Sequence, residues 1–187
     1  MNPNEQAVIA QHIRKHLDLA YDVAATLPKV REELIREGIR ALKRILVSSF
    51  EAGELEVVET FSEAPFAKNA YLSARHRMWP AGVTVSMEAD ASLARYVFLG
   101  LHVEPPTTVP AKVIETLDRR LRSGRASNDL VWWHWLDDGF QHWDERAAVL
   151  AFGNGDAPER LASFILDVVN VVHPFLSSEE PSEDRQP

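Results

Sequence analysis

GVTVSMEADASLARYVFLGLHV, residues 82–103, decides how the fold is read. In its first part, Gly82 to Ala89, Val83, Val85 and Met87 alternate with Thr84, Ser86 and Glu88. That period of two places apolar side chains on one face of a strand and polar ones on the other. After Asp90 to Leu93, the run Arg95 to Val103 is again apolar and β-branched, and the two runs read as an antiparallel hairpin.

Working outward, Pro105 and Pro106 end the second strand, and Val113, Ile114, Leu117 and Leu121 at helical spacing mark a helix from Pro110 to Ser123. LVWWHWL, Leu130 to Leu136, is a further strand, ended by Asp137, Asp138 and Gly139. Asp144 is placed to cap a short helix reaching Phe152, and Asp156 with Glu159 has capping-box spacing for a last helix. In that helix Leu161, Phe164, Ile165, Val168, Val169, Val171, Val172, Phe175 and Leu176 cover nearly the whole circumference, which predicts burial on more than one side. Toward the N-terminus, Asn4 to Leu27 is an amphipathic helix. Pro28 is expected to stop it and to open a second helix with a wide apolar face from Val30 to Leu46, the two making a hairpin. Leu55 to Phe61 reads as a short strand, and the stretch from Glu63 to Trp79 fits no single pattern.

The predicted fold is therefore α+β: a mainly antiparallel sheet, an N-terminal helical hairpin and a buried C-terminal helix, in one domain over residues 4–177. The acidic stretch 178–187, SEEPSEDRQP, has almost no apolar group to repay the entropy of ordering and is expected to be a disordered tail.

Composition narrows the chemistry. The 187 residues contain no cysteine, which excludes disulfides, thiolate catalysis and Cys-based zinc sites. A net charge of −8 argues against a generic nucleic-acid coat, whose affinity rests on basic charge. The apolar run Leu161 to Leu176 is interrupted by Asp167, Asn170 and His173, and the opening MNPNEQ has neither a basic nor an apolar leader segment, so no membrane and a cytoplasmic location are expected. Neither G-x-S-x-G, a P-loop, G-x-G-x-x-G nor H-E-x-x-H is present. No cofactor and no metal site are expected.

Four groups of residues carry what chemistry the chain offers. His12 and His16, four apart on a helix, have the spacing of a chelating pair or of two packed imidazoles. Lys29, Arg36, Arg40 and Lys43, with Arg75, Arg77, Arg119 and Arg122, could compose a phosphate-contacting surface, although Glu32 and Arg36 also form a favourable i,i+4 pair. Trp133 and Trp135 lie on one face of their strand and could make a stacking platform, while Trp132, next to Trp133, must point the other way. Glu88, His102 and His134 would offer acid-base groups if the strand register brought them to one face.

The succession of two N-terminal helices, the strands GVTVSMEA and ARYVFLGLHVEP, an intervening helix, the strand LVWWHWL and the helix ERLASFILDVVNVVHPFL resembles the C-terminal half of bacterial and phage-associated members of the PD-(D/E)XK nuclease superfamily, over Gln6 to Leu176. That superfamily cuts nucleic acid with a carboxylate pair and a lysine two residues after an acid. Here the residues two before the five lysines are Ile13, Leu27, Ala41, Phe66 and Pro110, so the D/E-x-K signature is missing and no catalytic residue carries over. The resemblance implies an accessory module without the cutting half, in a bacterial or phage defence setting, with a protein partner or a homo-oligomer expected. The alternatives are a nucleic-acid-binding domain using the arginine groups and the tryptophan face, or a fragment of a metal-dependent nuclease.

Overall fold

The computed structural model describes residues 2–127, 129–137 and 139–177. The tail from 178 to 187 lies outside the described residues.

The hairpin at the centre of the reading is β3 (Val83–Ala91) and β4 (Arg95–Val103), paired antiparallel with Met87 opposite Leu99 and Val85 opposite Leu101. β1 (Leu55–Glu59), β2 (Tyr71–His76) and β5 (Leu130–Trp135) complete a five-stranded antiparallel sheet in the order β1-β2-β3-β4-β5. β2 is the strand that the pattern of residues hides. Its inward set is Leu72, Ala74 and His76 and its outward set Tyr71, Ser73 and Arg75, so neither face is cleanly apolar or polar.

Helices pack on the face carrying Leu72, Val85, Met87, Leu99 and Leu101, all at most 2% exposed. α5 (Asp156–Leu176) lies against β3 and is flanked by α2 (Leu17–Ser48), α3 (Ala111–Arg120) and α4 (Arg146–Asn154). Nine of its residues are buried, from Ala157 to Val172, in keeping with an apolar pattern that leaves only a narrow polar stripe through Glu159, Ser163, Asp167 and Asn170. Trp132 enters the same core, and its indole N–H donates to Asp118 on α3 at 3.0 Å. The Gly124 amide donates to the same carboxylate oxygen at 2.8 Å, so one carboxylate ties the end of α3 to β5. The outer edge of β5 is closed by the chain itself, through reciprocal backbone bonds of 2.8 and 2.9 Å between Arg125 and Trp133. This removes an unpaired strand edge.

Three boundaries differ from expectation. The break between the N-terminal helices falls at His16, between α1 (Pro3–Lys15) and α2, and α2 runs through Pro28. Residues 21–30 are all exposed, so water can satisfy the carbonyl that Pro28 leaves without a donor. Asp144 does not cap α4, whose N-cap is Glu145. It takes a forked bond from Arg95, at 2.6 to 3.0 Å, and so pins the start of β4 to the segment before α4. Asp156 is the first residue of α5 rather than its cap, because Gly155, at φ 83°, turns the chain directly from α4 into α5. Asp156 and Glu159 both sit in the positive first turn.

The second half of α2 enters the core through Ile35, Gly38, Ile39, Leu42 and Leu46. Gly38 is where α2 meets α4: a Cβ there would run into Cδ1 and Cε1 of the Phe152 ring. Gly38→Ala gains up to about 1 kcal/mol of helix propensity but forces an overpacking cost of about 1–3 kcal/mol in a closed core. The expected net result is a lower urea midpoint at unchanged m-value, and a stabilised variant would show that Phe152 yields without cost.

Candidate functional site

The register that buries Met87 against Leu99 turns the alternate residues to the opposite face of the sheet. Thr84, Ser86 and Glu88 of β3, Tyr96, Phe98, Gly100 and His102 of β4, and Trp133 and Trp135 of β5 lie there, with Phe98 opposite Trp135 and Gly100 opposite Trp133. β4 and β5 slip by one residue between Leu101 and His102, which sets Leu130 opposite His102.

Trp133 and Trp135 are brought together, their ring centroids 4.9 Å apart and nearly perpendicular. Phe98 meets both edge to face, at 5.6 and 6.0 Å, and Tyr96 meets Trp135 at 5.8 Å. A hollow of about 230 Å³ opens beside them, lined by Asp90, Phe98, Ser127, Leu130, Trp133 and Trp135. The Arg125 guanidinium lies 5.4 Å from the centre of the Trp133 ring, a cation–π contact, and the Trp133 indole N–H is buried with no acceptor among the described residues. Phe98 and Tyr96 were not among the residues singled out from the sequence. Their spacing of two was visible in it, but only the β4–β5 pairing sets them beside the tryptophans.

The polar cluster assembles only in part. His102 Nε2 lies 3.0 Å from Glu88 Oε1, and the Ser86 hydroxyl donates to the same oxygen at 2.6 Å. His134 is on the other side of the sheet, stacked edge to face on Trp132 and beside Leu99, Leu121 and Phe164. The grouping of Glu88, His102 and His134 is thus corrected to a pair, since parity along β5 sends His134 with Trp132 and away from Trp133. Ser86 gives its proton to Glu88, not to His102, so the trio lacks the hydroxyl–imidazole contact that activates a nucleophile.

Electrostatics follow from these contacts. The bond to Glu88 raises the His102 pKa, against the opposing effect of burial. Burial pushes the Glu88 carboxyl up, but the bonds from His102 and Ser86 outweigh it and hold it below its ordinary range. His134 is lowered by burial, in part offset by its bond to the Trp135 carbonyl, and His76 by burial and by the neighbouring His173.

The basic residues do not form one surface. Arg36 pairs with Glu32 on α2, Arg75 with Glu56 and Arg77 with Glu54 at the β1–β2 side, and Arg122 with Asp137. Arg75 projects from the open face of the sheet, whereas α2 packs on the other, and His76 between Arg75 and Arg77 is 2% exposed. Arg40 and Lys43, with Arg44, line an open groove of about 1010 Å³ that they share with Glu37 and Glu59. Lys29 is exposed on α2 and Arg119 at the end of α3. His12 and His16 stack at 4.9 Å, and among the described residues no group of three or more His, Asp or Glu is placed to hold a metal ion.

The feature that sequence reasoning placed in a packed hairpin is the N-terminal arm. α1 has no buried residue, and from Asn2 to Val30 every residue except Ala20 is exposed. The apolar face read from the wheel exists, but nothing among the described residues covers it.

The Glu88–His102 contact predicts a pH signature. Its histidine, raised, adds stability that is complete below about 6.5 and is lost as pH rises through the folded value; its carboxylate, lowered, adds stability present above about 4.5 and lost as pH falls through the folded value. The contact therefore stabilises most between those two values, whereas His76 and His134, kept neutral by burial, withdraw stability as pH falls below 6.5 and the unfolded chain takes up protons. In Glu88→Gln the imidazole titration of His102, followed by NMR, is expected to fall toward 6.5; an unmoved titration would contradict the pairing. In a scan against known proteins, no family model, no curated protein and no solved structure matches this chain.

Proposed function

We propose that the chain is a non-catalytic interaction or accessory module, of the kind its resemblance to the C-terminal part of PD-(D/E)XK nuclease-superfamily proteins implies, and that it engages a protein partner through its N-terminal arm. One observation carries the reading. Val8, Ile9, Ile13, Leu17, Leu19, Tyr21, Val23, Leu27 and Val30 are between 45% and 71% exposed along α1 and the first half of α2. A lone helix of 13 residues such as α1 is marginal in water, and most helical stability in proteins comes from packing an apolar face. Covering what each of these side chains still exposes is worth roughly 1–2 kcal/mol, less the cost of ordering it. The body of the domain has its own core and does not call on the arm for it. The missing D/E-x-K and the pairing of half of the candidate phosphate-contacting cations, Arg36, Arg75, Arg77 and Arg122, with carboxylates agree with an interaction role over cleavage or backbone binding.

A photo-crosslinking residue at Tyr21 is expected to give an adduct of defined mass in source cells. A variant with Ile9, Ile13, Val23 and Leu27 all changed to Gln should lose that adduct while its thermal midpoint stays within about 2 °C of the parent, since surface changes away from packed features move stability little. No adduct with any protein, or cooperative loss of the domain's stability in the Gln variant, would overturn the reading.

A further inference from the structure

The hollow on the open face of the sheet has a lining that matches one kind of ligand in shape, charge and hydrogen-bonding capacity. Phe98, Trp133 and Trp135 all line it, and their ring planes meet one another at 61°, 78° and 77°. Since no two are parallel, nothing flat can be sandwiched between them, as a nucleobase is between stacked aromatic side chains. Three planes crossed so steeply cannot all turn their edges to one point, so a group held in the hollow meets at least one ring by its negative face. The volume of about 230 Å³ lies below the range of about 300–1,000 Å³ that drug-sized ligands occupy, which leaves room for a compact, rounded molecule of a few carbons.

Charge points the same way. Asp90, exposed at the end of β3, is the one ionisable residue of the lining, and among the described residues its carboxylate has no hydrogen bond and no ion pair. Glu88, directly opposite Phe98, puts a second carboxylate on the same face. Trp133 already attracts a cation, the Arg125 guanidinium, which lies outside the lining. Hydrogen-bonding capacity then selects among cations. Besides Asp90, only Ser127 brings a polar side chain to the lining. A primary ammonium carries three N–H donors and a guanidinium five, more than these two side chains can serve, whereas a fully methylated ammonium has none to leave unpaired.

We propose that this hollow binds a small quaternary ammonium compound of the choline class, its methylated head against Phe98, Trp133 and Trp135 and its charge balanced by Asp90. The attraction is the cation–π contact that recognises such ions, strengthened where the rings keep water away. The site stands on β3, β4 and β5, on the face turned away from the helices, and goes beyond the docking role of the arm without depending on it.

The test is a titration of the full chain with choline chloride at constant ionic strength, read by NMR from the indole N–H signals. Those of Trp133 and Trp135 are expected to shift and saturate, while Trp79, Trp132 and Trp143, each at most 4% exposed, stay in place as internal references. Dimethylbutanol, the neutral molecule of the same shape with carbon in place of the nitrogen, should bind roughly tenfold more weakly, the size of one partly desolvated cation–π contact. Trp135→Ala should abolish the choline shift at Trp133. Asp90→Asn, a change at an exposed position that leaves the packing alone, should weaken choline about two- to fivefold and leave the alcohol unaffected. Signals that do not move up to about 50 mM choline, an alcohol that binds as well as the cation, or choline binding indifferent to Asp90→Asn would overturn the inference. So would a response to phosphatidylcholine vesicles or to a trimethyllysine peptide where free choline gives none, since the ligand would then be a membrane or a modified protein.

Discussion

The pairing of β3 with β4 is the constraint to which the rest of the domain is referred. With Met87 opposite Leu99 and Val85 opposite Leu101, one face of the central strands becomes continuous aliphatic surface. A slip of one residue would carry Glu88 or His102 into the layer now occupied by α5, at the cost of burying ionisable groups without their mutual bond. Once that face is set, α5 has a surface to cover, and its near-complete apolar girth makes it the piece around which α2, α3 and α4 arrange themselves. Trp132 follows from the same parity: it must point inward, and Asp118 supplies the acceptor that its indole needs there.

The same register gives the opposite face its character. Aromatic rings on β4 and β5 crowd together at one end, and a hydrogen-bonded Ser86–Glu88–His102 trio sits beside them on β3 and β4. The trio shares one carboxylate oxygen, which shifts His102 and Glu88 in opposite directions and makes the contact a structural ion pair at mildly acid pH. Histidines on the helix-facing side, His76 and His134, are held neutral by burial. One sheet thus holds imidazoles whose contributions to stability run opposite ways with pH, according to the face each occupies.

The arm stands apart from this economy. Its apolar residues are as regular as those of α5 but contribute nothing to the core, and the helix that bears them continues into the core only from Ile35 onward. The core is complete without the two amphipathic segments on either side of His16, which leaves their apolar face available for association.

Much of the fold was legible residue by residue. The hairpin of residues 82–103, the helix after Pro110, the strand LVWWHWL and the buried last helix each declare themselves by period and by breakers, because local periodicity and the requirement to bury apolar groups act over a few residues. So did the opposite orientations of Trp132 and Trp133, which need only the alternation of a strand. β2 was not legible, since Leu72, Ala74 and His76 make too weak an apolar face to stand out before β1 and β3 flank them. Nor were the joint at His16, the grouping of Tyr96 and Phe98 with the tryptophans, or the separation of His134 from Glu88 and His102. Those depend on which strand lies beside which, and on whether solvent or another helix meets a given face. The sequence by itself determined that the N-terminal helices are amphipathic; only the tertiary structure decided that their apolar face meets no other part of the described chain, because the core is already filled by α5 and the second half of α2.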